Sequence, residues 1–470
     1  SVISRNISSA GTPGVSAKKA LVGSEESGAA AFLGVARNTN KELYRNLLGA
    51  TAAQGSNTQI STGLDQIDRA LGLSDPENSR SPAATISRLT SALQTYSASP
   101  DNQTAAQLAL SVARDVVSSL HEATDVTQNL RRQMDADMSS SVDTINSLLA
   151  KFETLNRDIV SRSASGADVT DALDQRDALL TQLSGEIGVR TLTRPNNDMV
   201  IYTDSGVTLL ETSARTISFK QTQNLAPGVA GNAVFVDGVQ VTGAGAPLAI
   251  HAGALQGRAQ LRDNVAPQYQ KQLDEIARGL VVAFSEEDQS GGGGPALPGL
   301  FTFSGASSAP AAMVIDGLAN QVTINANVDP DQGGVIDRLR DGGISGGAQY
   351  VSNTGGGAGY ATRLLELVNA TSSSQSFDVA AGLEAETTTS VYAANSNGWI
   401  GAHRQLAARG TTYYDALVSQ TTQALSNATG INLDDQMAQM AALENSYQAS
   451  AKLLQSINGL FDALFAAIRN

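Results

Sequence analysis

Three histidines, His121, His251 and His403, are the side chains of this 470-residue chain best suited to ligate a metal or move a proton near neutral pH. They are far apart in sequence, and His121-Glu122 continues as Ala123-Thr124-Asp125, where a zinc-protease motif would need a second His at 125. Each reads as a helix-face or surface residue. A catalytic Ser would need a His and an acid brought beside it, and paired carboxylates for glycoside chemistry likewise have a spatial rather than a sequence signature. Asp329, Asp331 and Gly333 resemble a fragment of a calcium loop, but Pro330 and the absent later acids make a plain turn the better reading. Gly291 to Gly294 lacks the Lys-Ser/Thr of a phosphate-cradling loop and reads as a flexible linker. With zero Cys there is no disulfide, no thiolate metal site and no Cys nucleophile. The expectation is a protein without catalytic residues, metal or cofactor.

The elements that would have to position such chemistry are mostly helices. Ile60, Leu64, Ile67 and Leu71 predict a helix over Ala52–Leu73, and Ile86, Leu89 and Leu93 predict a second after Ser79–Pro82. A third starts near Asn102, with Leu108, Val112, Val116 and Leu120 on its face, and runs on through Leu130, Met138, Leu149 and Ile159. Ser165–Asp168 interrupts it, and Asp171–Ile187 is one more helix, whose Asp174, Arg176 and Asp177 read as a solvated, pair-forming face. Short β-type runs at Val200–Tyr202, Val207–Leu210, Ile217–Phe219 and Val234–Val236 predict a small β-rich insertion over 191–256. Helical character returns near Gly257 and stops at Ser290. A second, Gly-rich insertion spans 291–359, with strands expected at Ala312–Ile315 and Val322–Ile324. From Tyr360 the chain is helical again, and Asn432 or Asp434 caps a last helix running almost to Asn470.

Composition narrows the partners. The balance of 31 Lys+Arg against 45 Asp+Glu, net charge -14, would repel a phosphate backbone, so nucleic acid is not expected. No apolar run reaches the ~18 residues of a bilayer span, and the first residues carry no charged-then-apolar secretory signal. Aromatic residues make up only 4% of the chain, and at ~100–200 residues per domain its length suggests about three domains.

The strongest pattern is structural. Met440, Leu443, Tyr447, Ser450, Leu454, Ile457, Phe461, Leu464 and Ile468 alternate three and four apart, a heptad seam with one polar member. Gln439, Glu444, Gln448, Lys452, Gln455 and Asp462 take the other faces. Such a helix needs a partner along its apolar side, and few cations on its polar side argue against a membrane surface.

Both chain ends carry a known signature. Asn6-Ile7-Ser8-Ser9-Ala10-Gly11-Thr12-Pro13-Gly14 resembles the N-N-I-A-N-x-x-T-P-G-Y motif of the bacterial flagellar rod, hook and hook-associated axial family. Gly430-Ile431-Asn432-Leu433-Asp434-Asp435 and Tyr447-Gln448-Ala449-Ser450-Ala451-Lys452 resemble its G-V-N-L-D-E and Y-Q-A-S-A-K motifs. Leu173-Asp174-Gln175-Arg176-Asp177-Ala178-Leu179-Leu180, Gly253–Gly257 and Leu261-Arg262-Asp263 look like the hook-associated protein 1 branch, the first hook–filament junction proteins. Val15 departs from the usual Tyr, and Ser8-Ser9 from Ala-Asn. Ser1 aligns inside the family's first helix, so the resemblance implies about 20 further residues of N-terminal helix.

The resemblance implies an α+β multidomain fold, with a long helical bundle or coiled coil built from both chain ends and β-rich insertions in the middle. It assigns 1–30 with 432–470 to a terminal coiled-coil axial core, and 31–190 with 257–290 and 360–431 to an elongated helical bundle. The seam residues Met440, Leu443, Tyr447, Leu454, Ile457, Phe461, Leu464 and Ile468 become an assembly interface, and Asn6, Ile7, Thr12, Pro13 and Gly14 the N-terminal motif. Implied partners are further copies of the chain, the hook protein, the second junction protein and an export chaperone, with neither nucleic acid nor membrane. Implied localisation is the flagellum outside the cell, after type III export without a cleaved signal. Another axial component of hook or filament type, or a surface adhesin binding glycans through 191–256 or 295–359, is the alternative.

Overall fold

A computed structural model describes residues 2–24, 30–75 and 77–468. In chain order the helices are α1 (Val2–Ser9), α2 (Lys41–Leu71), α3 (Pro82–Ala98), α4 (Gln103–Ala164), α5 (Thr170–Glu186), α6 (Ala254–Gln260), α7 (Ala266–Ala283), α8 (Arg338–Asp341), α9 (Thr362–Ala370), α10 (Thr389–Thr429) and α11 (Leu433–Ile468). The strands are short: β1 (Lys18–Ser24), β2 (Ala30–Arg37), β3 (Val189–Thr193), β4 (Met199–Thr203), β5 (Thr208–Leu210), β6 (Ile217–Ser218), β7 (Phe235–Val236), β8 (Val239–Gln240), β9 (Phe301–Thr302), β10 (Thr323–Ile324), β11 (Ser374–Ser376) and β12 (Glu386–Thr388). The fold is α+β, dominated by helix, with small antiparallel sheets set into it.

Local chemistry explains the helix limits. α4 contains neither Gly nor Pro over its 62 residues. It opens where Asn102 Oδ1 accepts from Thr104 N (3.0 Å) and Ala105 N (3.2 Å), and the chain turns at Gly166, whose φ of 73° suits Gly best. α2 starts eleven residues before the Ala52 expected from periodicity, because Asn40 caps it: Leu43 N donates to Asn40 Oδ1 at 3.1 Å. Between α6 and α7 a π-turn, Leu261–Val265, replaces what periodicity reads as continuous helix.

The chain divides into two compact units. One comprises 1–54, 144–216 and 413–470, the other 55–143 and 217–412. This partition differs from the four expected blocks, since 191–256 is shared out between the two units.

In the first unit, Leu47, Leu48, Leu149, Phe152, Leu180 and Leu183 are buried, and so are Val200 and Ile201, on opposite faces of the sheet β3-β4-β5, and Leu209. Ser184 Oγ donates to Leu48 O at 2.8 Å, tying α5 to α2. Strand β3, which the expected β-type runs did not include, pairs with β4 from Val189↔Thr203 to Thr193↔Met199. The early part of the chain corrects the expected coiled-coil segment over 1–30. α1 stops before Gly11 (φ 79°) and Thr12-Pro13, after which β1 and β2 form an antiparallel hairpin from Lys18↔Arg37 to Ser24↔Ala30.

The second unit has one continuous core. Leu64, Ile67, Leu89, Leu93, Leu110, Val116, Tyr269, Leu273, Leu280, Phe284, Leu364 and Ile400 belong to it. Polar groups fasten its loops to α7. Buried Asp274 accepts from Gly317 N and Ala319 N, both at 2.9 Å, and from Gln270 Nε2 at 3.0 Å. Burial pushes its carboxyl up to about 6, against the opposing hydrogen bonds. Two sequence expectations change here. Ala312–Ile315 is irregular, with Val314 N donating to Asp378 Oδ2 (3.0 Å), and β10 pairs with β9 instead. The expected linker at Ser290–Gly294 is a turn held by Asp288, which accepts from Ser290 N (2.8 Å) and Gly294 N (2.9 Å).

Candidate assembly surface

α11 begins at Asn432, whose Oδ1 accepts from Asp434 N (3.0 Å) and Asp435 N (3.4 Å). Its only buried residue is Gln436, in the first turn. Beyond it Met440, Leu443, Tyr447, Leu454, Ile457, Phe461, Leu464 and Ile468 all lie on one helix and are all exposed, from 38% for Ile457 to 77% for Tyr447. Ser450, the polar member of the row, donates to Ser446 O at 2.9 Å and so satisfies itself within the helix. The sequence reading missed the width of this surface. Leu453, Leu460 and Phe465 are exposed as well, at 62%, 71% and 62%. These residues fall off a strict heptad row, and only a count of the flanking positions reveals them. Soluble monomers rarely leave a contiguous apolar surface of this kind bare.

The other end of α11 is anchored with care. Asn6 Nδ2 donates to Gln436 Oε1 (2.9 Å) and Lys18 O (2.8 Å), while its Oδ1 accepts from Lys18 N (3.0 Å). Ala17 N donates to Thr429 O at 2.7 Å, and Asn38 Nδ2 to Ala428 O at 2.7 Å, so β1 and β2 hold the turn between α10 and α11. Of the other N-terminal motif residues, Ile7 is half-buried and its carbonyl accepts from Ala10 N, whereas Thr12, Pro13 and Gly14 form an exposed turn with Gly14 at φ 81°.

The same N-terminal stretch corrects the reading of Asp174, Arg176 and Asp177 as a solvated face. Asp174 and Arg176 are buried. Asp174 accepts from Ser16 Oγ (2.7 Å), Arg37 Nη1 (3.0 Å) and Lys18 Nζ (3.2 Å), and Asp177 accepts from Arg37 Nη1 at 2.6 Å. Arg5 reaches Asp168 (2.8 Å) and Thr170 Oγ1 (2.8 Å), and Lys18 also pairs with Asp171. α5 thus presents a row of carboxylates to cations from α1, β1 and β2. Arg176 points elsewhere, donating to Asn156 Oδ1 (2.8 Å) and Asn197 O (2.5 Å). Burial lowers its guanidinium to about 10 and raises the Asp177 carboxyl, the latter against the pull of Arg37. Burial also opposes the charge on Arg37, yet Asp177 and Asp174 outweigh it and raise that group. Periodicity alone could not reveal this, because the partners lie more than 130 residues away.

The residues weighed for chemistry are engaged structurally. His121 Nε2 lies 3.0 Å from Val322 O, Glu122 pairs with Arg80 at 2.9 Å, and His403 stacks on Trp399 with ring centroids 3.9 Å apart. Asp329 caps the turn Pro330–Gln332, and Arg114 bridges Asp329 and Asp331. The sequence reading finds no nucleophile elbow, and that is corrected: Gly343-Ile344-Ser345-Gly346-Gly347 spells the pattern. It is a loop and not a strand–turn–helix, and the Ile344 and Ser345 amides donate to Glu286 at 3.0 and 2.8 Å. Among the described residues no three His, Asp or Glu side chains gather as a metal site, and no helix is long and apolar enough to cross a membrane.

Residues 64–301 match the family described as the flagellar hook-associated protein FlgK helical domain, and residues 422–466 match the flagellar basal body rod FlgEFG protein C-terminal family. Two curated relatives, flagellar hook-associated protein 1 of Salmonella typhimurium and of Salmonella typhi, are each 25% identical over 183 residues. The match takes in 38% of this chain and 32% of each relative, so the chain spans about a third of their length. The flagellar hook junction protein FlgK from Burkholderia pseudomallei is similar at 22% identity and a TM-score of 0.44, covering 55% of this chain and 47% of that one.

Proposed function

The chain belongs to the flagellar hook-associated FlgK family through its helical domain, and from that premise we propose that it is a structural, non-catalytic subunit joining hook to filament in the bacterial flagellum. It assembles with further copies of itself through α11 and contacts the hook protein on one side and the second junction protein on the other. Export is by the flagellar type III route without a cleaved signal, with a chaperone shielding the apolar helix beforehand, and the working location is outside the cell.

One observation carries this reading. The segment matching the rod-protein C-terminal family, 422–466, contains all but the last member, Ile468, of the apolar row that the fold leaves bare from Met440 onward while pinning its base at Gln436. A helix held at one end and apolar along its free length is suited to packing against neighbours in a tube, where heterologous contacts repeat without closing in pairs. The acidic net charge of -14 keeps the unassembled subunit soluble.

Immunogold electron microscopy of the tagged chain on flagella tests the placement. A single band between hook and filament supports it. A continuous coat along hook or filament would assign the chain to another axial layer.

A further inference from the structure

The β1–β2 hairpin carries the other bare apolar surface of the first unit. Leu21, Val22, Phe32 and Leu33 are exposed at 48%, 64%, 66% and 70%. Phe32 lines a groove with Val2, Ile3, Ala20 and Leu443, so the inner face of the hairpin is continuous with the α11 surface. Leu33, the next residue along β2, projects from the opposite face, where it lies over Gly23. A two-stranded hairpin apolar on both faces is marginal in water, so this outer face also calls for cover.

α11 has a matching deficit. Its strict heptad row can be covered by one partner helix, but Leu453 and Leu460 stand one residue before Leu454 and Phe461 and widen the row on one side. At about 100° per residue the apolar arc of Leu453 to Ile468 spans about 140°, more than the narrow seam a single coiled-coil partner buries. Within its own chain the hairpin reaches α11 at Leu443 and leaves these residues exposed. Lengths agree as well, because Leu453–Ile468 extends about 24 Å at ~1.5 Å per residue and β1 and β2 about 23–26 Å at ~3.3 Å per residue. Charge agrees in sign: exposed Lys19 forms no ion pair among the described residues, and α11 carries Asp434, Asp435, Glu444 and Asp462 against Lys452.

We infer that the outer face of the β1–β2 hairpin, centred on Leu33, docks on the Leu453/Leu460 flank of α11 in a second copy of the chain. The inference rests on the reading of α11 as the assembly surface and adds a second element to it. Each copy then offers one hairpin and one helix flank, a heterologous pair that propagates from subunit to subunit.

Because the chain has no Cys, single introduced thiols report proximity cleanly. Full-length Leu33→Cys and Leu460→Cys chains, one enlarged by a tag, are mixed and oxidised while wild-type association is followed by sedimentation. All positions used are exposed, so the fold tolerates them. The expected result is a mixed disulfide dimer at least ten times more abundant than from Leu192→Cys with Leu460→Cys, and Leu21→Cys, on the same face as Leu33, repeats the gain in its place. If the wild type associates but Leu33→Cys links no better than Leu192→Cys, hairpin docking is overturned and the α11 reading stands. If the wild type does not associate at all, both are overturned.

Discussion

Asn6 and Gln436, 430 positions apart in sequence, share a buried side-chain hydrogen bond of 2.9 Å. The amide of Asn6 also meets both backbone groups of Lys18, so one side chain ties the first helix, the hairpin and the base of α11 together.

Asn6→Ala removes all three bonds and leaves the Lys18 N–H, the Lys18 carbonyl and the Gln436 amide unpaired. Urea denaturation of the full chain should show a loss of about 1–3 kcal/mol, the cost of stranding buried polar groups. Asn6→Asp, which cannot donate to Lys18 O or Gln436, should lose a similar amount.

Asp174 is the hub of the α5 carboxylate row. Asp174→Ala leaves buried Lys18 with only Asp171 and half-buried Arg37 with only Asp177, and takes the acceptor from Ser16, so about 1–3 kcal/mol of stability should be lost by the same measurement. Asp174→Asn keeps an acceptor for Ser16 and should cost less.

Asp274 gives a pH signature. Its folded carboxyl, at about 6, lies above the unfolded value of 3.8, so the folded chain binds this proton more tightly. Its contribution to stability is therefore greatest below pH 3.8 and falls as pH rises through about 6, by about 3 kcal/mol at most. Asp274→Asn, which leaves a loop amide without its acceptor but carries no charge, removes this slope between pH 4 and 6. Urea titrations of both chains across that range check the difference in slope.

Beyond Gln436, α11 has no buried residue, and a single helix without tertiary cover is marginal in water. Amides of Met440 to Ile468 should therefore exchange hydrogen rapidly in the dilute chain while those of α4 around Leu120 stay protected. Protection of 440–468 should rise once the chain assembles.

Helices were the most legible part of the sequence, because rows such as Leu64, Ile67 and Leu71 repeat within a few turns and bury as they promise. The helical run that carries the seam was equally legible, and Leu454 and Phe461 lie on a face that no described residue buries. What escaped depended on distant partners. The β1–β2 hairpin carries few β-branched residues and is stabilised through Lys18 and Arg37 against α5, and Asp174 looked like a solvated charge until Ser16 and Arg37 were seen to enclose it. The loop at Asp288 escaped because its glycines suggest freedom, whereas one carboxylate holds two of their neighbourhood's amides.

The central claim, that the apolar row of α11 is the assembly surface, is tested most directly by sedimentation of three full-length chains: wild type, Leu454→Asp and Gln455→Asp. Both positions are exposed in the single chain, so neither change should alter its folding. Burying a Leu side chain is worth about 1.5–3 kcal/mol, and the account predicts self-association of the wild type weakened about 10- to 100-fold or more by Leu454→Asp and left nearly unchanged by Gln455→Asp. Equal effects of the two substitutions, or undiminished association of Leu454→Asp, would contradict it.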